Sequence, residues 1–246
     1  MIVFDEGDTY RLITQPDHAR FSGELVSLWR EHGLPRHPRR EDLLFAVREH
    51  DNGWREADAA PRWNEAAGRP HDFMSVPDDV RLEVWRRGTL RFAAERPYAA
   101  LLVTHHALAL ATWSGEAAGG LAAELEERAD ELAEEAGATR EEAAADYPFL
   151  AFADAASLAV CGRSGDPFGR PAPPAAGGET LRGRFEPDTE TLYLQPFPLA
   201  GATRFAIPVR RVPKRLYAGD ADLGGELAAA RWCELTVRVS PAALPG

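Results

Sequence analysis

The residues most able to do chemistry stand inside apolar stretches, where a buried core is expected. One is Asp154, at the centre of the apolar run 147–160. Burying an unpaired carboxylate costs several kcal/mol, so a carboxylate in such a place is normally paired with a cation or bound to a metal. The run therefore predicts either a buried salt bridge or a metal ligand at Asp154.

Two histidine-containing doublets stand in similar surroundings. His105-His106 lies in an apolar segment of helical period, where adjacent side chains diverge by about 100°. Both imidazoles reach one site only if that site lies between their directions; otherwise one is buried and one is exposed. His50-Asp51 ends a predicted helix, where the charge of Asp51 opposes the helix dipole and needs another partner.

Together with His18 in the first predicted helix, these residues form an ordered set, His…His-Asp…Asp, on separate helices. The set resembles the HD superfamily of metal-dependent phosphohydrolases, over roughly residues 15–161. The resemblance implies that Asp51 is the catalytic carboxylate and bridges two metal ions. The metal ligands that it implies, including those of the branch that binds two metals, are His18, His50, Asp51, His71, His105, His106 and Asp154. The flanking β segments resemble an uncharacterised bacterial family with the same layout.

Two features depart from the superfamily pattern. Many relatives carry a Lys shortly after the doublet, whereas this chain has the run His50-Asp51-Asn52-Gly53-Trp54. A second doublet, His71-Asp72, lies in a Pro/Gly-rich loop and ranks below the first as the superfamily doublet. Whether His71 swings in as a ligand stays open, as does the choice between His105, His106 and both.

The ligand types indicate the chemistry. Imidazoles and carboxylates suit Fe, Mn, Zn or Co better than Ca or Mg alone. Two such ions lower the pKa of a shared water and neutralise charge on a transferring phosphoryl group. The sequence thus predicts a binuclear centre that hydrolyses a small phosphate ester, nucleotide or phosphodiester. Arg87 and Arg91 share a helix face and are candidate substrate-binding residues; the alternative is a solvated face paired with Glu83 or Glu95.

Two other functions are compatible with the same ligand order. Some HD-fold proteins hold a mixed-valent di-iron centre and oxidise C–H bonds with O₂. The absence of the Lys and the candidate ligand His71 keep that interpretation open. A third interpretation is non-catalytic, in which a metal-stabilised protein binds a partner through its β-sheet.

The elements that must position these residues follow from hydrophobic periodicity. A hairpin within 1–14 precedes two helices that end near residues 33 and 50, a long loop over 55–77, and helices over about 78–96, 98–113, 117–137 and 139–161. A Gly/Pro-rich linker over about 164–178 leads to strands within 180–240, and Pro208 is expected to place its strand at an edge. The predicted fold class is α+β: a mainly helical HD-type bundle with a small antiparallel β-sheet, formed by the N-terminal hairpin and the C-terminal strands, in a single domain over 1–246.

Charge and composition limit the partners. The 246 residues carry a formal net charge of −11, and ten acids against two arginines within 116–142 supply −8 of it, on the solvated face of a predicted helix. This acidity argues against a nucleic-acid surface but not against a small anionic substrate beside metal ions. Two distant cysteines, no leader segment and no apolar run of about 20 residues predict a cytoplasmic protein with no membrane partner. Oligomer formation stays open.

Overall fold

Helices occupy the middle of the chain and strands occupy both of its ends. The computed structural model describes residues 1–174 and 178–241. The helices are α1 (Gln15–Ser27), α2 (Arg40–Glu49), α3 (Arg55–Ala59), α4 (Asp78–Leu90), α5 (Pro97–Trp113), α6 (Gly119–Glu135), α7 (Arg140–Cys161) and α8 (Asp220–Ala229). The strands are β1 (Ile2–Asp5), β2 (Thr9–Ile13), β3 (Trp63–Asn64), β4 (Arg69–Pro70), β5 (Phe168–Pro171), β6 (Thr180–Glu186), β7 (Thr191–Gln195), β8 (Thr203–Pro213) and β9 (Trp232–Pro241).

Local signals in the sequence set the starts of two helices that carry the site. α1 begins after Thr14, whose Oγ1 accepts a hydrogen bond of 3.1 Å from the backbone N–H of Asp17. α7 begins with a capping box, in which Thr139 and Glu142 each accept a hydrogen bond from the other's backbone N–H. α7 then continues for 22 residues and carries Asp154 into the interior.

Strands from both ends of the chain form one seven-stranded sheet in the order β1-β2-β8-β9-β7-β6-β5. Neighbouring strands are antiparallel except β7 and β9, which are parallel. A parallel pair needs a long crossover connection, and β8 with α8 supplies it. The predicted mainly helical HD-type bundle with a small antiparallel sheet is therefore wrong, because the sheet is large and mixed.

Two strands account for the underestimated sheet. In β6, Leu181, Gly183 and Phe185 are buried alternately with polar residues, but the glycine and the arginines weaken this pattern in the sequence. β5 lies within the segment predicted as a linker over 164–178 and pairs antiparallel with β6; residues 175–177 of that segment lie outside the described residues. Strands of this kind depend on cross-strand neighbours more than on their own residues.

Pro208 lies in the interior of the sheet rather than on an edge strand as predicted, since β8 has β2 on one side and β9 on the other. β9 pairs with β8 from Thr203 to Arg210, whereas β2 pairs only with residues 210–213. At Pro208 the strand therefore has a paired strand on one side only. Proline, which has no backbone N–H, is tolerated at this position because one side of the strand is unpaired there, as it is in an edge strand.

α1 and α7 pack on one face of the sheet. Ile207 and Val237 of the strands belong to the main core together with Phe21 of α1 and Phe152 of α7. Alternate residues of a strand point to opposite faces, so the same sheet supports a second cluster under α8. That smaller cluster includes Val3, Leu12, Val212, Leu223 and Leu227.

α7 is long and apolar enough to cross a membrane by length and composition, but 61% of its apolar window is buried inside the fold. It packs against α1, α2 and α5 and against β5 and β6. A helix that other elements cover on several sides is typical of a protein core.

Candidate metal centre

Five ionisable side chains from four helices meet in the core. His18 lies on α1, His50 and Asp51 directly follow α2, His106 lies on α5, and Asp154 lies on α7. Nε2 of His18 lies 2.8 Å from Oδ2 of Asp51 and 3.9 Å from Oδ1 of Asp154. Nε2 of His50 lies 3.3 Å from Oδ1 of Asp154 and 3.8 Å from Oδ2 of Asp51. We call these five residues the His/Asp cluster.

The His/Asp cluster is almost closed to solvent. The side chains of His18 and His50 are fully buried, and those of Asp51 and Asp154 are 9% and 16% exposed. Two groups of three, one of His18, His50 and Asp51 and one of His50, His106 and Asp154, have ligand atoms within 4.8 Å of one another. Because His50 belongs to both groups, the five side chains form one connected ligand set.

The contact between α1 and α7 orients His18. Nδ1 of His18 lies 2.7 Å from Oγ of Ser157, which donates a hydrogen bond of 2.9 Å to the carbonyl oxygen of Asp154. Ser22, one turn after His18, donates to the same Ser157 Oγ at 2.9 Å. With its own proton donated to a carbonyl, Ser157 accepts from Nδ1–H of His18. Nε2, which lies 2.8 Å from Oδ2 of Asp51, is then the nitrogen of His18 that would bind a metal ion.

The turn after α2 is fixed by contacts with α4. Nδ1 of His50 lies 2.8 Å from the carbonyl oxygen of Val47, which points Nε2 toward the carboxylates. The amide of Asn52 donates to the carbonyl oxygens of Glu49 (2.8 Å) and Gly88 (3.0 Å). A Cβ on Gly53 would lie 2.1 Å from the carbonyl oxygen of Val84 on α4, so only glycine allows this approach of the two backbones.

Charge is strongly coupled within the cluster. Burial alone would lower the pKa of His50, but the carboxylates of Asp51 and Asp154 outweigh it and raise this pKa to about 9. Burial likewise raises the pKa of Asp154, but the neighbouring His50 outweighs burial, and the net pKa lies below its ordinary value. The pKa of Asp51 is lowered in the same way by His50 and His18. Both carboxylates are thus ionised at neutral pH, as metal ligation requires.

His106 completes the set, whereas its neighbour His105 does not join it. Burial lowers the pKa of His106 to about 4, so this imidazole is neutral. Nδ1 of His106 lies 3.1 Å from the hydroxyl of Tyr147, which leaves Nε2 for the cluster. The ring of His105 instead makes a tilted contact with the ring of Tyr147, with centroids 4.5 Å apart, and His105 belongs to neither ligand group. The 100° between neighbouring helical residues separates the two.

The residues fit a transition-metal ion. Nε2 of His50 is buried and lies 3.3 Å from Oδ1 of Asp154 and 3.8 Å from Oδ2 of Asp51, but it makes no well-aligned hydrogen bond with the described residues. The Nδ1 atoms of His18, His50 and His106 all contact protein oxygens, as the second nitrogen of a metal-binding histidine normally does. Three imidazoles with two carboxylates suit Fe, Mn, Zn or Co.

A cavity of about 290 Å³ opens beside the cluster. Its lining includes Asp51, His106 and Asp154, whereas His18 and His50 lie behind these residues and do not line it. The apolar lining residues are Trp54, Phe73, Met74, Trp85, Leu110 and Leu158. The other polar lining residues are Gln15, Arg81 and Ser114. The cluster thus offers two carboxylates and one imidazole to any molecule that enters the cavity.

Sequence reasoning missed Arg81 on α4 and singled out Arg87 on the same helix and Arg91 directly after it. The available signal was Trp85, because a residue four positions before a buried aromatic lies on the same helix face. Arg87 and Arg91, the predicted substrate-binding residues, do not line this cavity. Arg87 donates to the carbonyl oxygen of Gly53 (2.7 Å), Arg91 donates to Oδ1 of Asn52 (3.0 Å), and both pair with Glu56. They support the turn after α2 instead of facing the cavity.

The structure does not bring His71 to the cluster either. His71 lies in the loop between β4 and α4, and its Nδ1 is 3.3 Å from Oγ of Ser75. It belongs to neither ligand group. The loop around it contributes Phe73 and Met74 to the cavity wall instead.

Comparison with known proteins places the chain in a family. A model of the family described as "Protein of unknown function (DUF3891)" matches residues 1–214. The matched range contains all five residues of the His/Asp cluster. No curated protein and no solved structure matches the chain. The chain belongs to this family of unknown function.

Proposed function

We propose that this member of the DUF3891 family is a metal-dependent hydrolase of a small phosphate ester, nucleotide or phosphodiester. The observation that carries the proposal is the buried cluster of three imidazoles and two carboxylates, in which Nε2 of His50 faces both carboxylates, at the edge of a cavity. The order His18, His50-Asp51, Asp154 supports it through the resemblance to the HD superfamily of phosphohydrolases.

The proposal gives the five residues different tasks. His18 and His50, which are fully buried, would bind a metal ion through Nε2. Asp51, His106 and Asp154, which line the cavity, would complete the ligands for one or two ions. A bound transition metal supplies Lewis acidity and lowers the pKa of water at the site.

The hydrolysis needs little covalent chemistry from the protein. The oxygen of a water molecule forms a bond to phosphorus, the bond from phosphorus to the leaving oxygen breaks, and one proton of the water ends on that oxygen. A monoester and water thus give an alcohol and phosphate, and a diester and water give an alcohol and a phosphate monoester. The chain's contribution is to position the reacting groups and to keep Asp51 and Asp154 ionised and His106 neutral at pH 7.

The direct test is phosphate release by protein of known metal content. Wild type loaded with Mn, Fe or Zn should release phosphate or nitrophenol from a panel of p-nitrophenyl phosphate, bis(p-nitrophenyl) phosphate and nucleoside monophosphates. Asp51→Asn and Asp154→Asn should fall to background, while Arg86→Gln, which changes an exposed ion pair with Glu124, should match wild type. A metal-loaded wild type that releases nothing from any ester contradicts the proposal.

One observation favours a second candidate function, a di-iron oxygenase. The cavity walls are mainly apolar, which suits a substrate whose C–H bond is oxidised by O₂, and the His/carboxylate set suits iron. Oxygen uptake by iron-loaded protein, together with a mixed-valence EPR signal, would favour this candidate over hydrolysis.

We place the protein's action in the cytoplasm, as part of the same proposal. Cys161 and Cys233 are both free thiols, one buried and one exposed. Free thiols are typical of a reducing compartment.

A further inference from the structure

We infer that the cavity takes a substrate with one anionic group and an apolar, preferably aromatic, body, and that Arg81 binds the anionic group. The inference deepens the proposed function and rests on it, because the same cavity holds the metal-facing carboxylates. It names the class of substrate, and it assigns Arg81 as a specificity-determining residue.

The walls of the cavity select the body of the ligand. Trp54 and Trp85 are 3% and 8% exposed, and Phe73, Leu110 and Leu158 complete an apolar surface next to them. Such walls gain free energy when they exclude water against an apolar group. The volume of about 290 Å³ is at the lower end for ligand pockets, so the ligand is small.

Arg81 is the one cationic side chain among the described residues that line the cavity. Its guanidinium lies 5.9 Å from the ring centroid of Trp85, and it donates a hydrogen bond of 3.4 Å to the carbonyl oxygen of Met74. Its only carboxylate partner among the described residues is Asp78, three residues earlier on α4 and 57% exposed. Exposed pairs of this kind are weak, so a ligand oxyanion can replace Asp78 at Arg81.

The charges around the cavity limit the ligand to one anionic group. Asp51 and Asp154 contribute two negative charges to the lining, and a metal ion compensates them. Arg81 then remains for one further anion. A second or third phosphate away from both Arg81 and the metal site would lie against apolar walls, which carries a desolvation penalty. The lining therefore favours a monophosphate over nucleoside triphosphates and other polyanions.

The test is a binding measurement, so it does not depend on turnover. Isothermal titration of the metal-loaded protein compares benzylphosphonate with methylphosphonate, which lacks the apolar body, and with benzyl alcohol, which lacks the anion. Benzylphosphonate should bind at least tenfold more tightly than either. Arg81→Gln should weaken benzylphosphonate at least tenfold and leave benzyl alcohol unchanged, and Arg86→Gln should behave as wild type. The quenching of tryptophan fluorescence by benzylphosphonate gives a second readout, because Trp54 and Trp85 line the cavity.

The outcomes separate this inference from the proposed function. Equal affinity for benzylphosphonate and methylphosphonate, no binding of either, or unchanged binding in Arg81→Gln would overturn the inference, even if the protein hydrolyses other esters. Tight, Arg81-dependent binding of benzylphosphonate without hydrolysis of benzyl phosphate or of any ester in the panel would leave the ligand class standing and overturn the hydrolase.

Discussion

Nε2 of His50 lies 3.3 Å from Oδ1 of Asp154, yet this buried nitrogen makes no hydrogen bond within the described part of the chain. The two residues are brought together by α2 and α7, which are distant in sequence. Beside Asp154 and Asp51, His50 keeps a proton up to a pH of about 9 because its pKa is raised. In the metal-free protein that proton supplies the positive charge that a metal ion would supply between the same carboxylates.

The first prediction concerns the pH dependence of the metal-free protein. The pKa of His50 is about 9 in the folded state against about 6.5 in an unfolded chain. A raised pKa contributes stability that is fully present below pH 6.5 and is lost as the pH rises through about 9. Chelator-stripped protein should therefore show a falling midpoint of urea unfolding across this range.

The matched variant for this prediction is His50→Gln, which cannot be protonated. Its unfolding midpoint should stay flat over the same pH range. Adding Mn or Zn to wild type should also flatten the profile, because the ion replaces the proton. If chelator-stripped wild type and His50→Gln show the same dependence of the unfolding midpoint on pH, the assignment of a raised pKa to His50 is wrong.

The second prediction concerns the serine that holds His18. Ser157→Ala removes the oxygen that lies 2.7 Å from Nδ1 of His18, so this imidazole loses its orientation. Loss of such an outer partner lowers metal affinity by about tenfold or more. Competition with a chromophoric chelator measures the affinity. The control is Ser27→Ala, on an exposed part of α1, the helix that carries His18, and it should leave the metal affinity unchanged. An equal loss of metal affinity in both variants would refute the role of Ser157.

The third prediction compares two glycines at the contact between α4 and the turn after α2. Gly53→Ala places a Cβ 2.1 Å from the carbonyl oxygen of Val84, and overpacking of this kind lowers the free energy of unfolding by about 3 kcal/mol. A Cβ on Gly88 meets its nearest atom at 3.5 Å, an ordinary contact. Gly88→Ala should therefore be neutral, or stabilising by up to about 1 kcal/mol through helix propensity. Urea unfolding measures both, and similar values would contradict the close approach of the two backbones.

The cost of burying charged side chains in apolar segments made much of the site predictable from the sequence. A carboxylate inside an apolar helical run must be paired, and this singled out Asp154 before any fold was known. The same reasoning could not separate His105 from His106, because the direction that faces the site depends on how α5 packs. Helical spacing showed that Arg87 and Arg91 share a face of α4, but it could not show that this face meets Glu56 instead of the cavity.

The sheet was predictable only in part because it depends on pairing between distant segments. β8 and β9 alternate clearly in sequence and pair as neighbours. β5 and the parallel contact of β7 with β9 depend on partners far along the chain, and no local pattern encodes them. The segment before β6 is rich in Gly and Pro, and this composition is typical of a linker. A short edge strand such as β5 needs few apolar residues, so the composition did not reveal it.

The most direct test of the His/Asp cluster is its metal stoichiometry. Wild type stripped with chelator, supplied with Fe, Mn or Zn and desalted should retain one or two ions per chain by mass spectrometry of the metals. Asp154→Asn and His106→Gln should lose most of the bound metal, while His105→Gln, changed at the neighbouring residue outside the cluster, should retain it. Retention of no metal by wild type, or equal retention by Asp154→Asn and His105→Gln, would contradict the metal centre.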